Sequence, residues 1–224
     1  MKKTSIATFI LLLTAVGMYA QIGIIGGYQT FRADNWERFY IENEPRAIYP
    51  VNGYNVGIDY WFRLKKRRIE FTPELSFASM EGKAGTNSLS HTTFGFYFFT
   101  NVYPFDLASD CDCPVWSKDG NFFTKGFFVQ LAPGFSLFNN QSTSAAGGED
   151  FEGTSYQFGG VVGAGLDLGI SDFLTITPLA RYYLFPSSHW DHALFALGSE
   201  ADVHQLFLGL KVGLRWKQQR KYGR

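Results

Sequence analysis

The chain has 224 residues, and its 20 basic side chains balance its 20 acidic ones. A neutral balance gives no general case for nucleic-acid binding, and about two hundred residues after export make one domain rather than several. Lys2 and Lys3 precede an apolar run over 6–16 and a short Gly17-Met18-Tyr19-Ala20 stretch before Gln21, which reads as a cleavable export signal over 1–20. Its removal leaves 18 basic against 20 acidic residues, and no cysteine stands at the cut to suggest a lipoprotein. No later run is apolar for long enough to make a spanning helix. A bilayer admits only helices and closed barrels, because every backbone donor and acceptor must be satisfied without water.

The mature sequence alternates instead. A first strand over 21–31 sets Ile22, Ile24 and Tyr28 against Gly23, Gly27 and Gln29. The second, 51–63, sets Tyr54, Val56, Ile58, Tyr60 and Phe62 against Asn55, Gly57, Asp59, Trp61 and Arg63. After the basic turn Lys65-Lys66-Arg67-Arg68, a third opposes Ile69, Phe71, Leu75 and Phe77 to Glu70, Thr72, Glu74 and Ser76. Strands over 89–102, 126–138 and 154–170 repeat the pattern. One over 173–185 is less cleanly patterned, with Arg181 and Tyr183 placed inside, and the last, 203–216, opposes Leu206 through Trp216 to Gln205, Gly209, Lys211, Gly213 and Arg215. This is the sequence signature of a membrane barrel.

A soluble lipocalin-like barrel also alternates, with the apolar face inward. The polar face decides between the two. A solvated face carries Lys, Glu and Thr, whereas this one is crowded with Gly57, Gly95, Gly134, Gly159, Gly163, Gly165, Gly209 and Gly213. Small residues suit a narrow interior, since eight strands leave room only for packed side chains or one small ligand. Asp59, Arg63, Glu70, Glu74, Asp167, Arg181, Lys211 and Arg215 supply both signs equally, and buried charges must be paired, so they are expected to form an interior plug. The expected fold is all-β: an eight-stranded antiparallel up-and-down transmembrane β-barrel over 21–216, followed by a basic tail over 217–224.

The alternating strands, the strand exit Asn101-Val102-Tyr103-Pro104-Phe105 and the terminal strand Leu206 to Trp216 resemble the small outer-membrane barrels of the OmpA and OmpX type, in the porin-family form common in Bacteroidota. The resemblance implies the outer membrane of a Gram-negative bacterium, with both chain ends in the periplasm. Loops after the first, third, fifth and seventh strands would be extracellular, and 65–68, 103–125 and 171–172 periplasmic. The tail beyond the last strand departs from the family pattern.

Function is sparsely written. The turn over 103–125 is long for the periplasmic side and holds the only cysteines, Cys111 and Cys113. In an oxidising compartment they read as a strained structural disulfide, or as a redox, metal-binding or thiol-exchange pair; a structural zinc site would need four ligands. Phe105, Trp116, Phe122 and Phe123 flank them as an interfacial girdle or a partner contact. The basic rim of Lys65 to Arg68 with Lys217, Arg220, Lys221 and Arg224 is expected to snorkel to lipid phosphates, with docking to the cell wall or an acidic protein as the alternative. Glu149, Asp150 and Glu152 mark an acidic loop over 139–153 without calcium-loop spacing. A fourth loop gathers Ser187, Ser188, His189, Trp190, Asp191, His192 and Glu200. Some barrels of this size deacylate lipid A with Ser, His and a carboxylate, but the expected His-x-Ser order is absent, and neighbours on a strand face opposite ways. The expected function is a monomeric barrel with a filled interior and a structural or partner-interaction role. A narrow solute pore stands second and a lipid A acyl hydrolase third. No cofactor or metal is expected, and the expected partners are outer-membrane lipid and lipopolysaccharide, with a periplasmic protein or cell wall at 103–125, and no nucleic acid.

Overall fold

The computed structural model describes residues 21–36, 48–64, 67–84, 87–107, 121–144, 151–171, 173–189 and 200–215. The alternating segments form β1 (Gln21–Ala33), β2 (Ile48–Arg63), β3 (Ile69–Ala84), β4 (Asn87–Val102), β5 (Phe127–Ser144), β6 (Phe151–Leu166), β7 (Leu168–Gly169), β8 (Leu174–His189) and β9 (Glu200–Arg215). A short helix, α1 (Phe122–Gly126), leads into β5, and the Asn121 side chain accepts the Phe123 N–H at its start. β6 and β7 are one stave broken at Asp167, so the barrel has eight staves. Each pairs antiparallel with its neighbour in sequence, and β1 closes onto β9 from Gln21↔Arg215 to Ala33↔Val203. β6 closes onto β8, and the cylinder has no free edge to present to lipid.

The strands lie where the alternation placed them, with the same faces in and out, but they run further at the end away from Gln21. β2 starts at 48 rather than 51, β5 continues to 144 rather than 138, and β9 starts at 200 rather than 203. Residues 139–144 and 151–153, expected in a loop, are strand, as are Ser187, Ser188 and Glu200.

That extension has a different chemistry from the rest of the wall. The outward positions are apolar or small over 22–28, 54–62, 69–77, 94–102, 127–137, 156–166, 174–184 and 206–214, Thr100 being the polar exception. Nine such residues, tilted by about 40°, rise about 23 Å, the height of a membrane barrel's apolar band. Past that band the outward residues turn polar, and on several strands the inward ones turn apolar, while β8 shifts its parity at the bulge between Phe185 and Ser188. On β3 the outward series passes from Leu75 and Phe77 to Ser79, Glu81 and Lys83, while the inward series passes from Glu70, Thr72 and Glu74 to Ala78 and Met80. On β5 outward Leu131 and Phe135 give way to Asn139 and Gln141, and on β9 inward Gln205 gives way to Val203 and Ala201. Phe31, Trp36, Met80, Leu89, Phe138, Phe185 and Val203 thereby close the upper bore as a dry core. The segment inside lipid is apolar outside, with its charged and amide side chains inside among Ile25, Phe99, Phe128, Leu179 and Phe207; the segment above it is polar outside and largely apolar inside.

Inward glycines seat aromatic rings. A Cβ on Gly134 would lie 2.1 Å from Tyr97 Cδ1, and one on Gly95 2.4 Å from Tyr97 Cε2, so the Tyr97 ring lies against both backbones. Two outward prolines mark gaps in the ladders. Pairing of β2 with β3 jumps from Asp59↔Glu74 to Phe62↔Phe71 around Pro73, and pairing of β4 with β5 jumps from Tyr97↔Gly134 to Thr100↔Leu131 around Pro133. Each proline lacks the N–H that its neighbour would accept.

Candidate functional site

The lumen is where these strands bring polar chemistry together. Arg181 on β8 and Glu74 on β3 sit on opposite sides of the cylinder, four staves apart in either direction. Arg181 Nη1 donates to Glu74 Oε1 at 2.9 Å, a bond that runs straight across the bore between side chains 1% and 0% exposed. Arg181 Nε also donates to Gln130 Oε1 on β5 at 3.0 Å, and its guanidinium lies 4.0 Å from the centre of the Phe99 ring. Beside it, Lys211 Nζ is 2.5 Å from Asp59 Oδ2, and this pair lies over Gly23, where any side chain would collide with it.

A second crossbar lies above the first. Asn55 donates to Gln29, and Gln29 Nε2 donates to Gln205 Oε1 at 2.5 Å, linking β2, β1 and β9. Gln205 Nε2 then meets His91 Nε2 at 3.5 Å from the far wall, β4, where His91 also bonds Thr93 and Asn140. The His91 ring packs 4.0 Å from Phe31 and 4.8 Å from Phe138, so this polar row abuts the dry core directly.

The lower mouth, at the end holding Gln21 and Arg215, carries the densest cluster. Arg68 was expected on an exposed basic rim; it is instead buried in the mouth, because Asp106 and the Lys125 carbonyl accept from its guanidinium and Glu70 lies 3.8 Å from its Nε. Its guanidinium stacks 3.8 Å from the Tyr103 ring centre. The Arg68 N–H also donates to the Leu107 carbonyl at 3.1 Å, so one residue pins both ends of the turn between β4 and β5. Arg67 is exposed as expected. Tyr103 OH contacts Glu70 Oε2 at 2.8 Å and Asp167 Oδ2 at 2.6 Å; Trp61 Nε1 donates to the same Glu70 oxygen at 2.5 Å, and Thr177 Oγ1 to Asp167 Oδ1 at 2.6 Å. Burial, with Asp167 and Glu70 alongside, pushes the Tyr103 phenol well above its ordinary range, so it stays neutral. These groups surround a chamber of about 40 Å³, which Lys211 also lines. At roughly 10–15 Å³ per water it holds about three or four.

Of the eight expected plug residues, Asp59, Glu70, Glu74, Asp167, Arg181 and Lys211 meet in these clusters, and Arg63 stands opposite Glu70 in register. Arg215 pairs with Gln21, and its side chain lies outside the described residues. Asp167 stands at the inward parity of Gly163 and Gly165, at the β6–β7 break, where its N–H donates to the Gly126 carbonyl. Sequence reasoning missed Arg68, Tyr103, Gln29, Gln205 and His91. Gln29, Gln205 and His91 stand at inward parity; Arg68 and Tyr103 lie outside the strands, where parity gives no signal. Phe105 and Phe123 are exposed at the lower end with ring centres 6.5 Å apart, and Phe127 packs against both. Cys111, Cys113, Trp116 and the Phe122 side chain lie outside the described residues, as do the His189 side chain and 190–199. Ser188 is buried with its hydroxyl donating to the Phe185 carbonyl, and Ser187, outside, has a φ of 51° at a bulge.

No protein-family model and no curated protein matches the chain. Solved structures are similar to the chain at low identity. Neisserial surface protein A matches at 12% identity over 88% of this chain and 97% of its own, with a TM-score of 0.49. Ail, the attachment invasion locus protein of Yersinia pestis, matches at 14% over 89% and 100%, with a TM-score of 0.43. The outer membrane protein OprG from Pseudomonas aeruginosa matches at 12% over 89% and 97%, with a TM-score of 0.44.

Proposed function

We propose that the protein is a sealed outer-membrane barrel of a Gram-negative envelope, whose role is structural or partner-binding. The lower mouth then faces the periplasm and the protruding strands the exterior. The observation that carries this reading is the closure of the bore at successive levels. The Arg181–Glu74 bond spans it, the Gln205–His91 contact spans it again, and the Phe31, Phe138 and Phe185 layer fills the upper end. A resident solute pore would need a wet path, and among the described residues the polar space at the lower mouth is a chamber for a few waters. The strands continue five to seven residues beyond the apolar band, roughly 13–18 Å, which would hold the outer loops clear of the lipid headgroups on a rigid stalk. Such a stalk suits contact with lipopolysaccharide sugars or a partner. At the other end, the Phe105–Phe123–Phe127 cluster continues the apolar band to its edge and suits anchoring at the membrane interface.

The test is conductance of the purified barrel in planar bilayers. Silence at salt concentrations where open porins conduct supports the sealed reading, and steady single-channel current overturns it in favour of a pore.

A further inference from the structure

β6 and β8 join over a short stretch only. Their ladder runs from Gly165↔Leu179 to Gly160↔Leu184 and stops there, whereas β5 pairs with β6 up to Ser142↔Phe151 and β9 with β8 up to Glu200↔His189. Among the described residues, the two strands therefore part at the upper rim of the apolar band and stay apart along the stalk. β8 is turned aside. Extending the ladder would set Pro186 opposite Phe158, where proline has no N–H to give, and the bulge that follows holds Ser187 at a φ of 51°. Proline and bulge are what blunt a strand edge, and β6 has neither over 151–159. Exposure follows the slit. Tyr156 and Phe158 are 72% and 70% exposed, more than any other large apolar side chain among the described residues, although Tyr156 stacks on Phe135 at its other flank. Gly153 and Ser155 stand at inward parity yet are only half-buried, where Phe138, Asn140 and Ser188 are buried. Behind the slit Phe185 packs on Phe138, so the bore stays closed.

Alternate residues of a strand turn their N–H and C=O to opposite neighbours. The Pro133 gap lies on the β4 side while Pro133↔Gly160 keeps its place on the β6 side, so odd residues of β5 bond β4 and even ones bond β6. By register the odd residues of β6 then bond β5, and Thr154, Tyr156 and Phe158 turn their backbone groups toward the slit. Donors and acceptors at this spacing are matched by another extended backbone; a lipid chain has none to offer. Charge narrows the partner. Above the band, the described outward positions of β5, β6, β8 and β9 carry Glu152, Asp202 and Glu200 and no Lys or Arg.

We propose that the upper edge of β6 is a docking edge for an extended, basic polypeptide strand of a partner protein. The added strand pairs with Thr154, Tyr156 and Phe158 through its backbone and sets its outward basic side chains beside Glu152 and the Tyr156 ring. This rests on the reading of the protruding strands as an outer contact surface; conductance tests the sealed bore, and the edge is tested without it.

The test uses the mature chain folded into phosphatidylcholine nanodiscs, with amide exchange followed by NMR. In the free chain, Thr154, Tyr156 and Phe158 are expected to exchange on the order of a hundredfold faster than Ser155 and Gln157, which bond β5. Uniform protection would mean that this chain or a second copy already covers the edge, and overturns the proposal. The probe is a short peptide of alternating Thr and Lys, expected to slow exchange at the three edge positions about tenfold at about 1 mM. The same peptide N-methylated at alternate residues, and one with Glu in place of Lys, are expected to leave the rates unchanged. No protection by the Lys peptide, or equal protection by either control, overturns the docking edge. Thr154→Pro deletes one donor facing the slit and leaves the β5 ladder intact, so it should weaken the peptide about fivefold, whereas Thr154→Ala should not weaken it. Equal weakening by both assigns the effect to the side chain and overturns recognition through the backbone.

Discussion

Replacing Arg181 by Met tests whether the crossbar holds the barrel together. The side chain is 1% exposed and makes two charge-assisted bonds, at 2.9 Å to Glu74 and 3.0 Å to Gln130, besides its 4.0 Å approach to the Phe99 ring. Met fills much of the same volume and removes every polar contact. Glu74 is left with 0% exposure and without its cation, and breaking a buried pair in this way costs about 3–5 kcal/mol. Loss of the ring contact adds roughly 0.5–2 kcal/mol. A working figure of about 4 kcal/mol lowers the urea midpoint of unfolding by about 1.5 M if the urea dependence is about 2.5 kcal/mol per molar. The assay is reversible urea unfolding in vesicles followed by tryptophan fluorescence. The control is the double substitution Glu74→Leu with Arg181→Met. Removing both charges removes the orphan, and most of the lost stability should return. A single substitution costing less than about 1 kcal/mol, or a double no more stable than the single, refutes the idea of a charge pair buried across the bore. Conductance should stay at zero in the single variant, because the Gln205–His91 row and the dry core still close the bore above.

The face swap locates the upper edge of the lipid, and arginine scanning along β3 checks it. Leu75→Arg should cost about 2–4 kcal/mol, as a charge well inside the band does, and Ser79→Arg only about 0–1; equal costs would mean that the edge is misplaced. Gly134→Ala drives a methyl to within 2.1 Å of the Tyr97 ring, where the neighbour is ring edge rather than a flexible tip. Overpacking of this kind should lower unfolding stability by about 1–3 kcal/mol, and a cost below about 0.5 would show that the ring is not seated there.

Period-two alternation was enough to place the staves and assign inside and outside, because parity in a strand is geometric and survives whatever surrounds it. The plug followed from parity too: Asp59, Glu74, Arg181 and Lys211 stand at inward positions in the written sequence. Their partners were not legible. Which acid meets which base depends on the stagger of the sheet, and Arg181 reaches Glu74 across the lumen although 107 residues separate them. Arg68 was misplaced for a related reason. In a run of four basic residues nothing local distinguishes the one that folds back, and its burial is decided by Asp106 and the Lys125 carbonyl, which arrive from the far side of a long turn.

The strand ends were misread because the reading assumed one environment along the whole wall. Alternation says that two faces differ; it does not say which faces the solvent. Where lipid is the solvent the apolar face turns outward, and where water is the solvent it turns inward, so a strand that leaves the bilayer without losing its register must exchange the chemistry of its faces. On β3 the exchange falls between Phe77 and Ser79 outside and between Ser76 and Ala78 inside, within one residue of each other. On β5 the outside turns polar between Leu137 and Asn139, while inside Phe138 joins the upper layer between Ser136 and Asn140. The polar outward residues past these points look like loop sequence when the apolar face is expected to stay outward, which is why 139–144 was taken for a loop. Read with the exchange allowed, the same residues mark continuous strand, the height of the lipid and the start of the stalk at once.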